Sequence, residues 1–254
     1  MNESQLLPAG SDSHFNRATS TITAILGITL AVAGMHHGFF EILQGNTPTE
    51  SLVIRSIGPS HQMWEHGTDE AFTLIPNFLM TGIASVVVSL LIVLGSLFLV
   101  RGGRSSPERL VPGSGFLIRG WSFRVLRKRW TTFFLLLFIL LTLVGGGIGH
   151  IIFFFTAWAY ATRMNKPLKW WRKILSGSFW KTIAAGWIYS VSFAALCFII
   201  GLEISVFGYV PGISNPDSIL VVCWGFLLLG LIFINVSYIT GFGYDIRNQA
   251  QAAV

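Results

Sequence analysis

Residues 130–162 read WTTFFLLLFILLTLVGGGIGHIIFFFTAWAYAT, an apolar run with no Lys, Arg, Asp or Glu. A helix rises 1.5 Å per residue, so this run is too long for a single pass through a hydrocarbon core of about 30 Å. Its middle is Gly145-Gly146-Gly147-Ile148-Gly149, where consecutive glycines weaken helix continuity. Two readings follow: one kinked helix that passes through, or two helices that meet in a tight hairpin.

Positive charge separates them. The 17 Lys and Arg include Arg17, Arg55 and Arg247, eight residues in 101–129 and six in 163–181. If 130–162 is a hairpin, both basic loops fall on one side, which leaves Arg55 alone on the other. A single helix would split the charges almost evenly and erase the cytoplasmic excess that orients membrane proteins. The hairpin is therefore the expectation, with arms at about Arg124 to Val144 and Ile148 to Met164 and the glycine turn near the outer face.

The rest of the chain fits that frame. Hydrophobic residues make up 52% of the 254 and charged residues 11%, an imbalance that points to lipid as the main solvent. The apolar residues come in long blocks, neither spaced as one amphipathic face nor alternating as in an outer-membrane barrel. The reading is an all-α, polytopic transmembrane helical bundle of about six membrane helices, at about 19–44, 71–100, 124–144, 148–164, 182–202 and 218–240. Residues 1–18 are expected to form a disordered cytoplasmic N-terminus, 19–244 a single transmembrane domain and 245–254 a cytoplasmic tail. The first block is taken as a retained helix, although Ala31-Val32-Ala33 has the small residues of a leader cleavage site. The polar stretch Gly45 to Glu70 is expected to be a connection without strands.

The formal charge of +6 belongs to residues that flank apolar blocks, so the expected partners are the bilayer and anionic phospholipid head groups, not nucleic acid. Trp170, Trp171 and Trp180 interleave with Lys169, Arg172, Lys173 and Lys181 as an interfacial anchor would. Gly34 and Gly38 form a GxxxG pair on nearly the same face as Gly27, suited to close helix packing within the chain or to a homo-oligomer or a membrane-complex partner. Cys197 and Cys223 lie inside apolar blocks without CxxC spacing and read as small buried hydrophobes.

On this topology His36, His37, His61, His66 and His150 gather at the outer face with Glu41, Glu50, Glu65, Asp69, Glu70, Glu203 and Asp217. His37, Glu41 and Gln44 are spaced i, i+4 and i+7 and point from one face of the first helix. Ionisable groups at membrane depth are costly and mark candidate sites, and His with carboxylates are ligands of zinc, manganese and non-haem iron. The candidate ligands of a divalent metal are therefore His37, Glu41, His150, His61, Glu65 and His66. The competing reading is interhelical hydrogen bonding for His37 and Glu41 and a solvated loop for the rest. His61 to His66 has neither HExxH nor HxxEH spacing, which removes a zincin, and no catalytic residue is nominated.

Three stretches, Gly34 to Asn46 (GMHHGFFEILQGN), Gly145 to Gly149 (GGGIG) and Ala161 to Lys173 (ATRMNKPLKWWRK), resemble segments of a family of uncharacterised prokaryotic multi-pass integral membrane proteins. The resemblance implies a multi-pass membrane protein and brings no activity with it. The functional expectation is a transport, ion-binding or sensing component of the plasma membrane with a polar His/Glu site near the outer face. The alternatives are an intramembrane metal-dependent enzyme and a structural or assembly subunit of a membrane complex.

Overall fold

The computed structural model describes residues 15–102, 117–175 and 182–251, with side chains for 15–100, 129–175 and 182–249. The element order is α1 (Arg17–Leu43), β1 (Val53–Arg55), β2 (Glu70–Phe72), α2 (Phe78–Gly102), α3 (Leu117–Leu143), α4 (Ile151–Ala161) and α5 (Lys169–Ile174). A single 3-10 turn, Ala184–Gly186, then runs straight into α6 (Trp187–Phe207), and α7 (Pro216–Gln251) closes the fold.

The chain is mostly helical, and four helices are long and apolar enough to cross a membrane: α1, α2, α6 with its preceding turn, and α7. Arg129–Leu143 of α3 and Ile151–Ala161 of α4 are shorter apolar helices. The outward surface of these helices carries many large apolar side chains. Ile83, Val87, Leu90, Leu91 and Leu94 of α2 are exposed, as are Leu136 and Ile139 of α3, Leu196 of α6 and Val221, Trp224 and Leu228 of α7. So much contiguous apolar surface suits a protein solvated by lipid.

Helix α1 lies at the centre, where small residues let α2 approach. A Cβ on Gly34 would fall 2.5 Å from Ser89 Oγ, and one on Gly38 would fall 2.7 Å from the carbonyl oxygen of Gly82. The GxxxG face is thus occupied by a neighbouring helix of the same chain. On the other side of the core Phe138 of α3 stacks on Phe154 of α4 with ring centroids 4.4 Å apart, so α3 and α4 lie side by side.

The two ends of the bundle differ in chemistry. At one, the Asn16 backbone N–H donates to the Met164 carbonyl (2.9 Å), its side-chain amide donates to the Arg163 carbonyl (2.7 Å), and Gln249 Nε2 donates to Asn16 Oδ1 (2.7 Å). Asp245 accepts from the Ala18 N–H (2.8 Å), the Thr19 N–H (3.0 Å) and Thr19 Oγ1 (2.8 Å). A carboxylate from the last helix therefore caps the amide groups that the first turn of α1 leaves without intrahelical partners. At the other end stand the close of α1, the glycine turn, both strands and the starts of α2 and α7.

Several boundaries differ from expectation for local reasons. The Gly45–Glu70 connection contains two antiparallel strands, with Val53 paired to Phe72, Ile54 to Ala71 and Arg55 to Glu70. Ala71 and Phe72 consequently belong to β2, and α2 begins only after Pro76, where Asn77 Oδ1 accepts the Met80 N–H at 3.1 Å as an N-cap. Residues 15–18 are ordered by the Asn16 and Asp245 bonds, while 1–14 lie outside the described residues. Residues 245–251 form the last turns of α7, with Asp245 buried. The basic stretch Arg119 to Arg129 is continuous with α3, and its side chains before Arg129 lie outside the description.

Candidate functional site

Helix α1 places His37 and Glu41 one turn apart near its C-terminal end, where both are buried and Glu41 is 0% exposed. The short sheet supplies their partners. Beyond the Arg55–Glu70 pair the Ser56 N–H donates to the Asp69 carbonyl (2.9 Å), which sets Ser56 and Asp69 opposite one another although they are far apart in sequence. Gln44 fixes the same point from α1, its Nε2 donating to the carbonyls of Arg55 (2.9 Å) and Ser56 (2.7 Å). Asp69 has φ 45, the left-handed region that Asp enters more readily than most residues but at some cost in strain.

These four side chains form one chain. Asp69 Oδ2 lies 3.3 Å from His37 Nε2, His37 Nδ1 lies 3.0 Å from Ser56 Oγ, and Ser56 donates to Glu41 Oε1 at 2.9 Å. A serine hydroxyl has one hydrogen, so with that hydrogen on Glu41 the His37 Nδ1–H is the donor to Ser56. The far oxygen, Glu41 Oε2, is buried without a hydrogen-bond partner. The outer member, Asp69, has a side chain 23% exposed, so the chain runs from solvent to a fully enclosed carboxyl group.

The glycine turn roofs this chain. Leu74 N–H donates to the Leu143 carbonyl (2.9 Å), Ile148 N–H donates to the Glu70 carbonyl (3.1 Å), and Ser85 Oγ donates to the Val144 carbonyl (2.7 Å), which pins the turn to β2 and α2. Gly145 has φ 106 and Gly147 φ 91, values that side-chain-bearing residues rarely adopt. The space matters as much: a Cβ on Gly147 would collide with His37 Nε2. His150, in the same turn, meets His37 edge to face with centroids 5.7 Å apart.

Of the residues nominated from sequence, His37, Glu41 and His150 come together. His61, Glu65 and His66 do not join them. His61 Nδ1 pairs with Ser60 Oγ at 3.1 Å, and His66 Nε2 lies 3.4 Å from Asp217 Oδ1 at the start of α7. Among the described residues no group of three or more His, Cys, Asp or Glu side chains is placed to hold a metal ion. The Ser56, His37 and Asp69 sequence has the residue types of a hydrolytic triad, but Ser56 is 0% exposed and gives its hydrogen to Glu41, so no substrate carbonyl reaches it here. What the arrangement suits is proton transfer along a relay.

Ser56 and Asp69 join the cluster without a sequence signal that singles them out: Ser56 lies in a polar connection, Asp69 is one of several acids at that face, and three-residue strands are too short to show alternation. Comparison with family models found no match, and comparisons with curated proteins and with solved structures found none either.

Proposed function

We propose that this chain is a multi-pass protein of the plasma membrane whose outer-end cluster takes up and releases a proton, as the ion-binding element of a sensing or transport component. The observation that carries the reading is the unbroken Asp69–His37–Ser56–Glu41 chain ending on an unpartnered, fully buried carboxyl oxygen. A carboxylate buried so deeply is costly, so the arrangement calls for a proton or a cation to neutralise it. Beneath it the aromatic rings of Phe134, Phe138 and Phe154 close the core, which supports access from one side.

The finer topology belongs to the same proposal: six passes, with a hairpin at Gly145–Gly149, the whole of 19–244 as one transmembrane domain, and both termini cytoplasmic. It is supported by the meeting of the start of α1 with the ends of α4 and α7, and by the basic residues Arg163, Lys166, Lys169, Arg172 and Arg247 near that end. Anionic head groups are the natural contact of α5, whose Trp170 is exposed.

The test is infrared difference spectroscopy of reconstituted protein stepped between acid and alkaline pH. A protonated-carboxyl stretch that titrates in the wild type and is missing in Glu41→Gln is expected. Superimposable spectra from the two proteins would remove Glu41 from the mechanism.

A further inference from the structure

One hydroxyl stands between the Asp69–His37–Ser56–Glu41 chain and the glycine turn and belongs to neither. Ser85 of α2 is fully buried and lies against Gly38 of α1, where an added Cβ would sit 3.0 Å from the Ser85 Cβ. That close approach of the two helices brings the hydroxyl beside the Glu41 carboxyl. Its hydrogen goes elsewhere: Ser85 Oγ donates to the Val144 carbonyl at 2.7 Å, where α3 gives way to the turn. On the strand side the turn is fastened by backbone bonds, from Leu74 N–H to the Leu143 carbonyl and from Ile148 N–H to the Glu70 carbonyl.

A hydroxyl has one hydrogen to give and two lone pairs with which to receive. Ser56 occupies Glu41 Oε1, so the oxygen left for Ser85 is Oε2, which lacks a hydrogen-bond partner. A protonated Glu41 suits this arrangement, because Oε2–H can donate to Ser85 Oγ while Ser85 continues to donate to Val144. A carboxylate has no hydrogen to offer there and needs a donor instead.

We propose that Ser85 is a positioning residue that reads the proton on Glu41 and passes its presence to the glycine turn. With the proton in place, Ser85 receives from Glu41 and holds the Val144 carbonyl. When the proton leaves for the outer solvent, the Ser85 hydroxyl turns its hydrogen to Oε2, and Val144 loses its tie to α2. The two backbone bonds to the strand side stay, so the turn loosens on its α2 side without leaving the site. This inference rests on the reading of Glu41 as the proton site. The titratable groups around Glu41 are His37 on the same helix, Asp69 from the connection and His150 from the turn, while α2 presents the hydroxyls of Thr81 and Ser85. His37, Asp69 and His150 all remain in Glu41→Gln, which separates their titration from that of Glu41.

Hydrogen–deuterium exchange of the full-length protein in lipid nanodiscs, read over residues 143–150 by mass spectrometry, tests the coupling. Variants are compared at one pH at a time, so the intrinsic pH dependence of exchange cancels. In acid, Ser85→Ala is expected to exchange about tenfold faster than wild type over this segment, as the loss of one hydrogen bond would give. At alkaline pH the two should match, because the wild type has already released Val144. In a Glu41→Gln background, whose amide keeps donating to Ser85, the effect of Ser85→Ala should persist at both pH values. No acceleration in acid, or the same acceleration over wild type at every pH, overturns the proposal, the latter because Ser85 would then only support the turn. If Ser85→Ala loses its helical circular dichroism, Ser85→Cys, a weak donor, takes its place and is judged by the same comparison. The Glu41 infrared band keeps the two readings apart. A titrating band with a pH-independent exchange ratio removes the role of Ser85 alone, and a band that never titrates removes the proton site and the coupling with it.

Discussion

Gly145 and Glu41 meet so closely that a methyl group added to the glycine would fall 2.7 Å from both carboxylate oxygens. The turn and the buried acid therefore constrain one another. Gly145→Ala adds that collision to the strain of a side chain at φ 106, and it should cost about 2 kcal/mol or more of stability. Gly149→Ala, where an added Cβ meets nothing within 4 Å, is the control and should change little. Denaturant midpoints of the two variants in the same detergent will check the contrast, and equal losses would mean that the turn is not clamped on Glu41.

Sidedness can be read with single cysteines in a Cys197→Ser, Cys223→Ser background. A cysteine at Lys166 or Lys169 should react with an impermeant maleimide only when the cytoplasmic face is open, and one at Met63 only from the exterior. Labelling of position 166 from outside in intact cells would reverse the orientation and move the His37–Glu41 cluster to the cytoplasmic side.

How far the fold was legible depended on the range of the interactions involved. Long apolar blocks announced the four helices long enough to cross a membrane, and the Gly145–Gly149 run marked the interruption between α3 and α4, because both signals are local. His37 and Glu41 were visible as ionisable residues at helical spacing inside an apolar block. Ser56 was not, since its role comes from strand pairing with residues beyond Gly58 and Pro59 and from a carboxyl group on another element. Asp245 was assigned to a tail for the same reason. Its partners, Ala18 and Thr19, lie at the opposite end of the chain, and no window of neighbouring residues contains them.

That last pairing sets an order of events during synthesis. The opening turn of α1 leaves the ribosome well before the acceptor for the Ala18 N–H, which lies 227 residues further on. Until Asp245 emerges, the start of α1 has an unfinished end. Arrival of Asp245 seals it, so α1 is completed only when α7 is in place.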